Sequence, residues 1–350
     1  MNAAVKIGML GGGMVNQIGH LPFYLADKRC DILCVAESRP SLVEALRAQL
    51  GADRVVEDYR AMLADPRIEA VVISVPRAAT GPLTLETLQA GKHVMAEKPM
   101  AHSLEQARRL VEAAQAKSLT YAIGYMKRYD PGVQAAKQLF DAVVAEGRLG
   151  RLLLARFYDF SNAYAMAPPA HVRPKESRVQ RFETWPTHPS WLPERYRAAF
   201  GWFMNAASHD VNLMRYFFPG DLEVLSASCT GDTCVLATLR HAGDALAFEV
   251  TKTLAGRWVE GAEFLFERGR ISLTIPSPMA TQSVSEVTLD DQARGIVGER
   301  HATGEGWSFA RQATGFVDAL TGVAPAMTSG ADALGDMELT ERIWRKVAER

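Results

Sequence analysis

The stretch Val5–His20, VKIGMLGGGMVNQIGH, decides the fold. Val5, Ile7, Met9 and Leu10 make a short apolar run suited to a buried strand. Gly11-Gly12-Gly13 interrupt it, and apolar residues return at helical spacing over Met14–Leu25. A strand that turns through glycines into a helix aims unpaired N–H groups and the positive helix end at one point, and a pyrophosphate suits that point. Gly11 allows the tight turn, Gly13 lets a phosphate approach the backbone, and Met14 and Val15 open the helix. All four are assigned to a dinucleotide. The third glycine of G-x-G-x-x-G falls at Asn16, a departure from the fingerprint.

Working outward, Asp31–Ala36 reads as a second strand ending at Glu37. A carboxylate about 20 residues beyond the glycine loop accepts from an adenosine ribose hydroxyl and repels a 2′-phosphate, which favours NAD. Ser38 and Arg39 follow, and an arginine there can hold that phosphate, so NADP stays open. Helices are expected at Pro40–Leu50, Asp58–Leu63, Gly81–Ala90 and Ser103–Lys117. Strands are expected at Val55–Val56, Ile68–Val75, His93–Ala96 and Leu119–Ile123. This alternation predicts an α/β fold with a doubly wound parallel sheet, a Rossmann domain over residues 1–127. Ligands of such sheets bind beyond the carboxyl ends of the strands. The Gly11 loop, Glu37, Pro76 and Glu97-Lys98-Pro99 therefore converge on one crevice.

After about Arg128 the pattern changes. Pro131–Glu146 is helical, then strands follow one another: Arg151–Phe160, Leu222–Cys229, Cys234–His241, Leu246–Leu254, Ala262–Phe266, Ile271–Ile275 and Gln282–Leu289. Strands without intervening helices predict a large open, mostly antiparallel sheet in a second α/β domain over residues 128–350. Trp307–Leu320 and Ala331–Glu349 close the chain as helices. Ser161–Phe200 stands apart, with scattered aromatics including Tyr164, many prolines and little periodicity. Between His171 and Arg197 six basic residues (Arg173, Lys175, Arg178, Arg181, Arg195, Arg197) face three acidic ones. A loop of this length is a lid or a partner-binding segment, and its charge suits an anionic substrate; a solvated loop is the plain alternative.

Composition bounds the function classes. With 350 residues there is room for two cores, and 39 basic against 40 acidic residues give a net charge of −1. No general attraction to nucleic acid or to an anionic membrane follows. No apolar run approaches the roughly 18–20 residues of a membrane span, and no leader pattern is read at the N-terminus. Cys30, Cys34, Cys229 and Cys234 have no zinc spacing, so no metal is expected and the compartment reads as cytoplasmic.

Two residues carry the expected chemistry. Lys98, at a strand end beside a nicotinamide, is partly desolvated and near a cationic ring. Both favour its neutral amine, which can take a proton from a substrate hydroxyl. Trp202–Phe218 reads as one helix on which Asn205, His209 and Asn212 share a face. His209 can pass a proton at neutral pH and Asn205 can orient a hydroxyl. Arg128 and Tyr129, at the domain boundary, are assigned to the substrate.

GGGMVNQIGHLP, IEAVVISVP, AGKHVMAEKPMA, YMKRYDPG and NAASHDVNLMRYFFPG, in this order, resemble the Gfo/Idh/MocA oxidoreductases. That family is named for glucose-fructose oxidoreductase and inositol dehydrogenase, and the resemblance runs to about residue 220. It implies a Rossmann domain followed by an α/β domain whose open sheet makes homodimer or homotetramer contacts. It also implies NAD(P)-dependent hydride transfer at a secondary alcohol or ketone of a sugar, cyclitol or nucleotide-linked sugar. Lys98 matches the family's catalytic lysine and His209 its catalytic histidine, while Asn205 stands where many members have aspartate. Arg77 and Thr80 also depart from P-N-x-x-H. An NAD-dependent glycosidase of the same family, a non-catalytic dinucleotide-binding regulator and a methyltransferase are the alternatives.

Overall fold

Six short apolar runs in the first 125 residues build one parallel sheet. The computed structural model describes residues 4–161, 169–176, 182–253 and 258–349. In chain order the elements are β1 (Val5–Leu10), α1 (Leu21–Ala26), β2 (Cys30–Ala36), α2 (Pro40–Leu50), β3 (Val55–Val56), α3 (Tyr59–Ala64), β4 (Ala70–Ile73), α4 (Arg77–Gln89), β5 (His93–Ala96), α5 (Leu104–Ala116) and β6 (Tyr121–Ile123). The strand order β3-β2-β1-β4-β5-β6, parallel throughout, is that of a doubly wound sheet. All four residues of β4 are buried, as a strand covered on both faces requires. Local chemistry sets several helix starts. Ser103 accepts from the Gln106 amide before α5, and Asp58 accepts from the Arg60 amide before α3. Helix α4 begins four residues earlier than Gly81-Pro82 suggested, so Pro82 lies inside it.

The remaining elements are α6 (Pro131–Glu146), β7 (Leu152–Ser161), α7 (Arg197–Asn205), α8 (Ser208–Phe217), β8 (Glu223–Thr230), β9 (Cys234–His241), β10 (Asp244–Lys252), β11 (Val259–Phe266), β12 (Gly269–Ile275), β13 (Glu286–Asp291), β14 (Ile296–Arg300), α9 (Ser308–Leu320) and α10 (Gly330–Ala348). The second sheet runs β14-β13-β12-β11-β7-β10-β9-β8. Its neighbours are antiparallel except β7 and β10, which are parallel. A phenylalanine cluster covers one face, with Phe140 and Phe217 each 4.7 Å from Phe264 between ring centroids. Asp130 caps α6 by accepting from the Gly132 and Val133 amides, and the same carboxylate accepts from the Ser285 amide.

Two expectations need correction here. The single helix over Trp202–Phe218 is two helices, α7 and α8, separated at Ala206–Ala207. Helix α7 buries Phe200 and Phe203 against Trp344, whereas α8 is buried almost all round, and one straight stripe does not serve both. The linear division at residue 127 also gives way. Compact unit 1 comprises residues 1–125, 169–187 and 309–337; unit 2 comprises 126–168, 188–308 and 338–350. The first unit needs the later segment because Ala313, Phe316 and Val317 of α9 belong to the same core as Ile7, Met9, Val72 and Met95. No described helix is long and apolar enough to cross a membrane.

Candidate dinucleotide and catalytic site

The glycine loop is shaped by two different constraints. Gly11 has φ +95°, and a Cβ there would lie 2.2 Å from the Ser74 carbonyl oxygen, so only glycine fits where the turn after β1 passes the end of β4. At Gly13 an added Cβ would meet nothing nearer than the Arg39 guanidinium at 3.7 Å. That face is open, bounded by a cation, and a methyl group would fill it. This is the cradle a pyrophosphate requires.

Asn16 explains its own departure from the fingerprint. Its buried side-chain amide donates to the Gly11 carbonyl, and the next turn, Asn16–His20, widens into a π-helical turn ahead of α1. The close helix approach that a third glycine normally permits is shifted to Gly19, where a Cβ would sit 2.8 Å from the Phe309 ring.

Glu37 is occupied. Its carboxylate accepts from the Gly12 amide at 2.9 Å, the Ser38 amide at 2.8 Å, and the Arg39 amide, Nε and Nη2 at 2.9, 2.9 and 2.6 Å. Two carboxylate oxygens offer about four lone-pair sites, and these five donors occupy them. Burial alone would push this carboxyl up; the Arg39 guanidinium and amide and the Gly12 amide outweigh burial and hold it below the usual carboxylate range. The carboxylate assigned to a ribose hydroxyl is also a brace between the glycine loop and the β2 end. Sequence spacing located the carboxylate but not the arginine folded back on it.

Lys98 is half-buried just beyond β5, the second neighbour of β1 in the sheet, and Pro76 precedes α4 at the end of β4. Glu97 accepts from the Lys98 amide at 3.2 Å and pairs with His20 Nε2 at 2.9 Å. His20 was missed by sequence reasoning. It is fully buried, its ring meets Phe309 edge-on, and the signal was a histidine one turn after Asn16 inside an otherwise apolar helix.

In unit 2, Arg128 and Tyr129 lie in the buried turn Met126–Tyr129. Arg128 Nη2 donates to the Asn212 carbonyl at 2.9 Å, tying the turn to α8, and its guanidinium lies 5.3 Å from the Tyr216 ring. His209 is buried in the first turn of α8. Asn205 is exposed at the end of α7, so the two do not share one continuous helix face. The sequence also left Lys127 unassigned. This buried amine pairs with Glu260 and lies 3.9 Å from Asp210, and Trp258 Nε1 donates to Glu260 at 3.0 Å. Among the described residues no cluster of histidine, cysteine and carboxylates can hold a metal. Tyr164, Arg178 and Arg181 lie outside the described residues.

Residues 5–125 match the family model described as an oxidoreductase family with an NAD-binding Rossmann fold. Over those residues the chain is similar to the Gfo/Idh/MocA oxidoreductases. The matched residues are those of the parallel sheet and glycine loop described above. Levoglucosan dehydrogenase of Pseudarthrobacter phenanthrenivorans is 24% identical over 231 residues, which cover 64% of this chain and 53% of that one. The scyllo-inositol 2-dehydrogenase (NAD(+)) of Bacillus subtilis is 24% identical over 65% of this chain and 57% of its own. The aligned part thus spans somewhat over half of these relatives. A 3-ketoreductase from Actinomadura kijaniata, solved with NADP and TDP-benzene, superposes with a TM-score of 0.75 at 20% identity over 98% of both chains. At that identity the likeness shows the fold: a Rossmann unit with a second, mostly antiparallel sheet.

Proposed function

We propose that this protein is an NAD(P)-dependent oxidoreductase that interconverts a secondary alcohol and a ketone on a sugar, cyclitol or nucleotide-linked sugar. The observation that carries the reading is Lys98, half-buried beyond β5 on the same carboxyl edge as the open Gly13 cradle, within the segment that matches the family. The dinucleotide supplies the hydride acceptor or donor. Gly11, Gly13, Met14 and Val15 hold its pyrophosphate, with Ser38, Arg39, Pro76, Glu97 and Lys98 along the same edge. Glu37 acts by bracing Arg39 and Gly12. In the oxidative direction Lys98 accepts the hydroxyl proton as the substrate carbon loses hydride, and His209 is the acid–base residue assigned in unit 2. Arg128, Tyr129 and Asn205 serve the substrate, Arg128 by fixing α8.

The substrate class follows the relatives, a cyclitol dehydrogenase and a ketoreductase solved with a TDP compound. A cytoplasmic homodimer or homotetramer is part of the same reading. Leu153, Leu225, Leu236 and Val259, exposed on strands of the second sheet, support a subunit contact there. The test is Lys98→Met: turnover of the preferred polyol or sugar should be abolished while titration still shows dinucleotide binding. Unaltered turnover sinks the assignment of Lys98.

A further inference from the structure

The long segment after β7 contributes residues 169–187 to unit 1, and its attachments fall on elements at the carboxyl edge of the parallel sheet. Gln17 grips Val172 from both sides, accepting from its amide at 2.8 Å and donating to its carbonyl at 3.1 Å. The same Gln17 amide donates to the Gly12 carbonyl at 2.8 Å, so Val172 is joined to the glycine loop through one side chain. Three residues later the chain is fixed again. The Lys175 amide donates to Ser41 Oγ at 3.0 Å, and the Glu176 carboxylate accepts from the Ser41 amide at 2.8 Å and hydroxyl at 2.6 Å. Ser41 lies in the first turn of α2, two residues after Arg39.

A third anchor is written into α4. Pro82 has no N–H, so the Ala78 carbonyl one turn earlier has no helical donor, and the Trp185 amide takes it at 2.9 Å. Gly81 makes room for the indole, which a Cβ would meet at 2.4 Å, and the Arg109 guanidinium lies 5.3 Å from the ring. The Gly81-Pro82 pair that looked like a helix start is the seat of this tryptophan.

We propose that residues 172–176 form a clasp across the adenosine end of the dinucleotide site, with Arg39 and Arg173 as its cations, and that this clasp sets how long the dinucleotide stays bound. The inference rests on the dinucleotide reading above. One anchor is the glycine loop at Gly12 and the other the start of α2, two residues from Arg39, the group nearest the open face at Gly13. Arg173 and Pro174 lie between them, exposed. Arg39, Arg173 and Lys175 stand against the Glu37 and Glu176 carboxylates at this corner, a surplus of one positive charge for an anionic pyrophosphate or 2′-phosphate. A ligand so covered leaves only when the 172–176 bridge lifts, so retention depends on the Ser41–Glu176 bonds.

The test is stopped-flow displacement of NADH and of NADPH, followed by nicotinamide fluorescence, for the wild type, Glu176→Ala and Arg173→Ala, each with a thermal melt. Glu176→Ala should release the tighter-bound dinucleotide at least tenfold faster with an unchanged melting temperature. Arg173→Ala should do so with a smaller change for NADH than for NADPH. Glu176→Gln, which keeps one acceptor for the Ser41 amide, should fall between Glu176→Ala and the wild type. Wild-type release rates in Glu176→Ala and Arg173→Ala overturn the clasp alone. Failure of the wild type to bind either dinucleotide overturns the dinucleotide reading, and the clasp with it.

Discussion

Gly11 and Gly13 look alike in the sequence, yet the structure gives them separable duties. Gly11→Ala forces a Cβ to within 2.2 Å of a backbone carbonyl at φ +95°, so it should cost about 2–3 kcal/mol or more and lower the melting temperature. Gly13→Ala meets nothing within 3.7 Å, so stability should hold within about 0.5 kcal/mol. Because the new methyl group fills the face where phosphate approaches, NADH affinity should fall at least tenfold. Calorimetric melts and fluorescence titrations on both variants check this, and wild-type affinity in Gly13→Ala would move the cradle elsewhere. At this scale the sequence was legible wherever backbone geometry alone picks the residue, as in the glycine loop. It was not legible where a neighbour decides the role. Glu37 stands at the expected spacing but is filled by Arg39, and Asn16 counted as a defect until its amide was found tied to Gly11.

Among elements, the boundaries read most closely are those fixed by proline, capping or abrupt changes of polarity: Pro40–Leu50, Pro131–Glu146 and Cys234–His241 match residue for residue. The break between α7 and α8 has no proline or glycine to announce it, and β14 is polar, exposed and bent at Gly298. Helix α8 also holds a group whose environment only the fold reveals. Burial pushes the Asp210 carboxyl well above its ordinary value, the nearby Glu260 and Asp159 carboxylates add to the rise, and the pull of Lys127 opposes it. Burial opposes the charge on Lys127, but Asp210, Glu260 and Asp159 outweigh it and keep the amine protonated. A carboxyl raised in the folded state binds its proton more tightly there than when unfolded. Its contribution to stability is therefore full below about pH 4 and is lost as pH rises towards the folded value. Asp210→Asn keeps the shape without the ionisation. The variant should lose that downward component of stability between about pH 4 and 7 and melt no lower than wild type at pH 7.5. Melting curves across that range decide it; an unchanged pH slope would remove Asp210 from the account.

At the level of the whole chain, sequence order and spatial grouping part company. Alternating strands and helices announced the parallel sheet, but no local pattern says that a helix some 200 residues later completes its core. Ala313, Phe316 and Val317 of α9 sit among the apolar side chains of β1, β2, β4 and β5, and Phe309 packs on Gly19. Thr328 extends the edge strand, accepting from the Ile123 amide at 2.8 Å while its hydroxyl donates to the Ile123 carbonyl at 2.7 Å. Removing this segment uncovers the phenylalanine and the valine sites at about 1.5–3 kcal/mol each, against a domain stability of about 5–15 kcal/mol. It also leaves the outer edge of β6 unpaired at Ile123. A fragment of residues 1–125, the very stretch that matches the family model, should therefore bind a hydrophobic dye and melt without a cooperative transition. The same fragment joined through a flexible linker to residues 309–337 should recover a sigmoidal melt. If residues 1–125 alone melt cooperatively at the full-length temperature, the parallel sheet is self-sufficient and α9 contributes nothing to its folding.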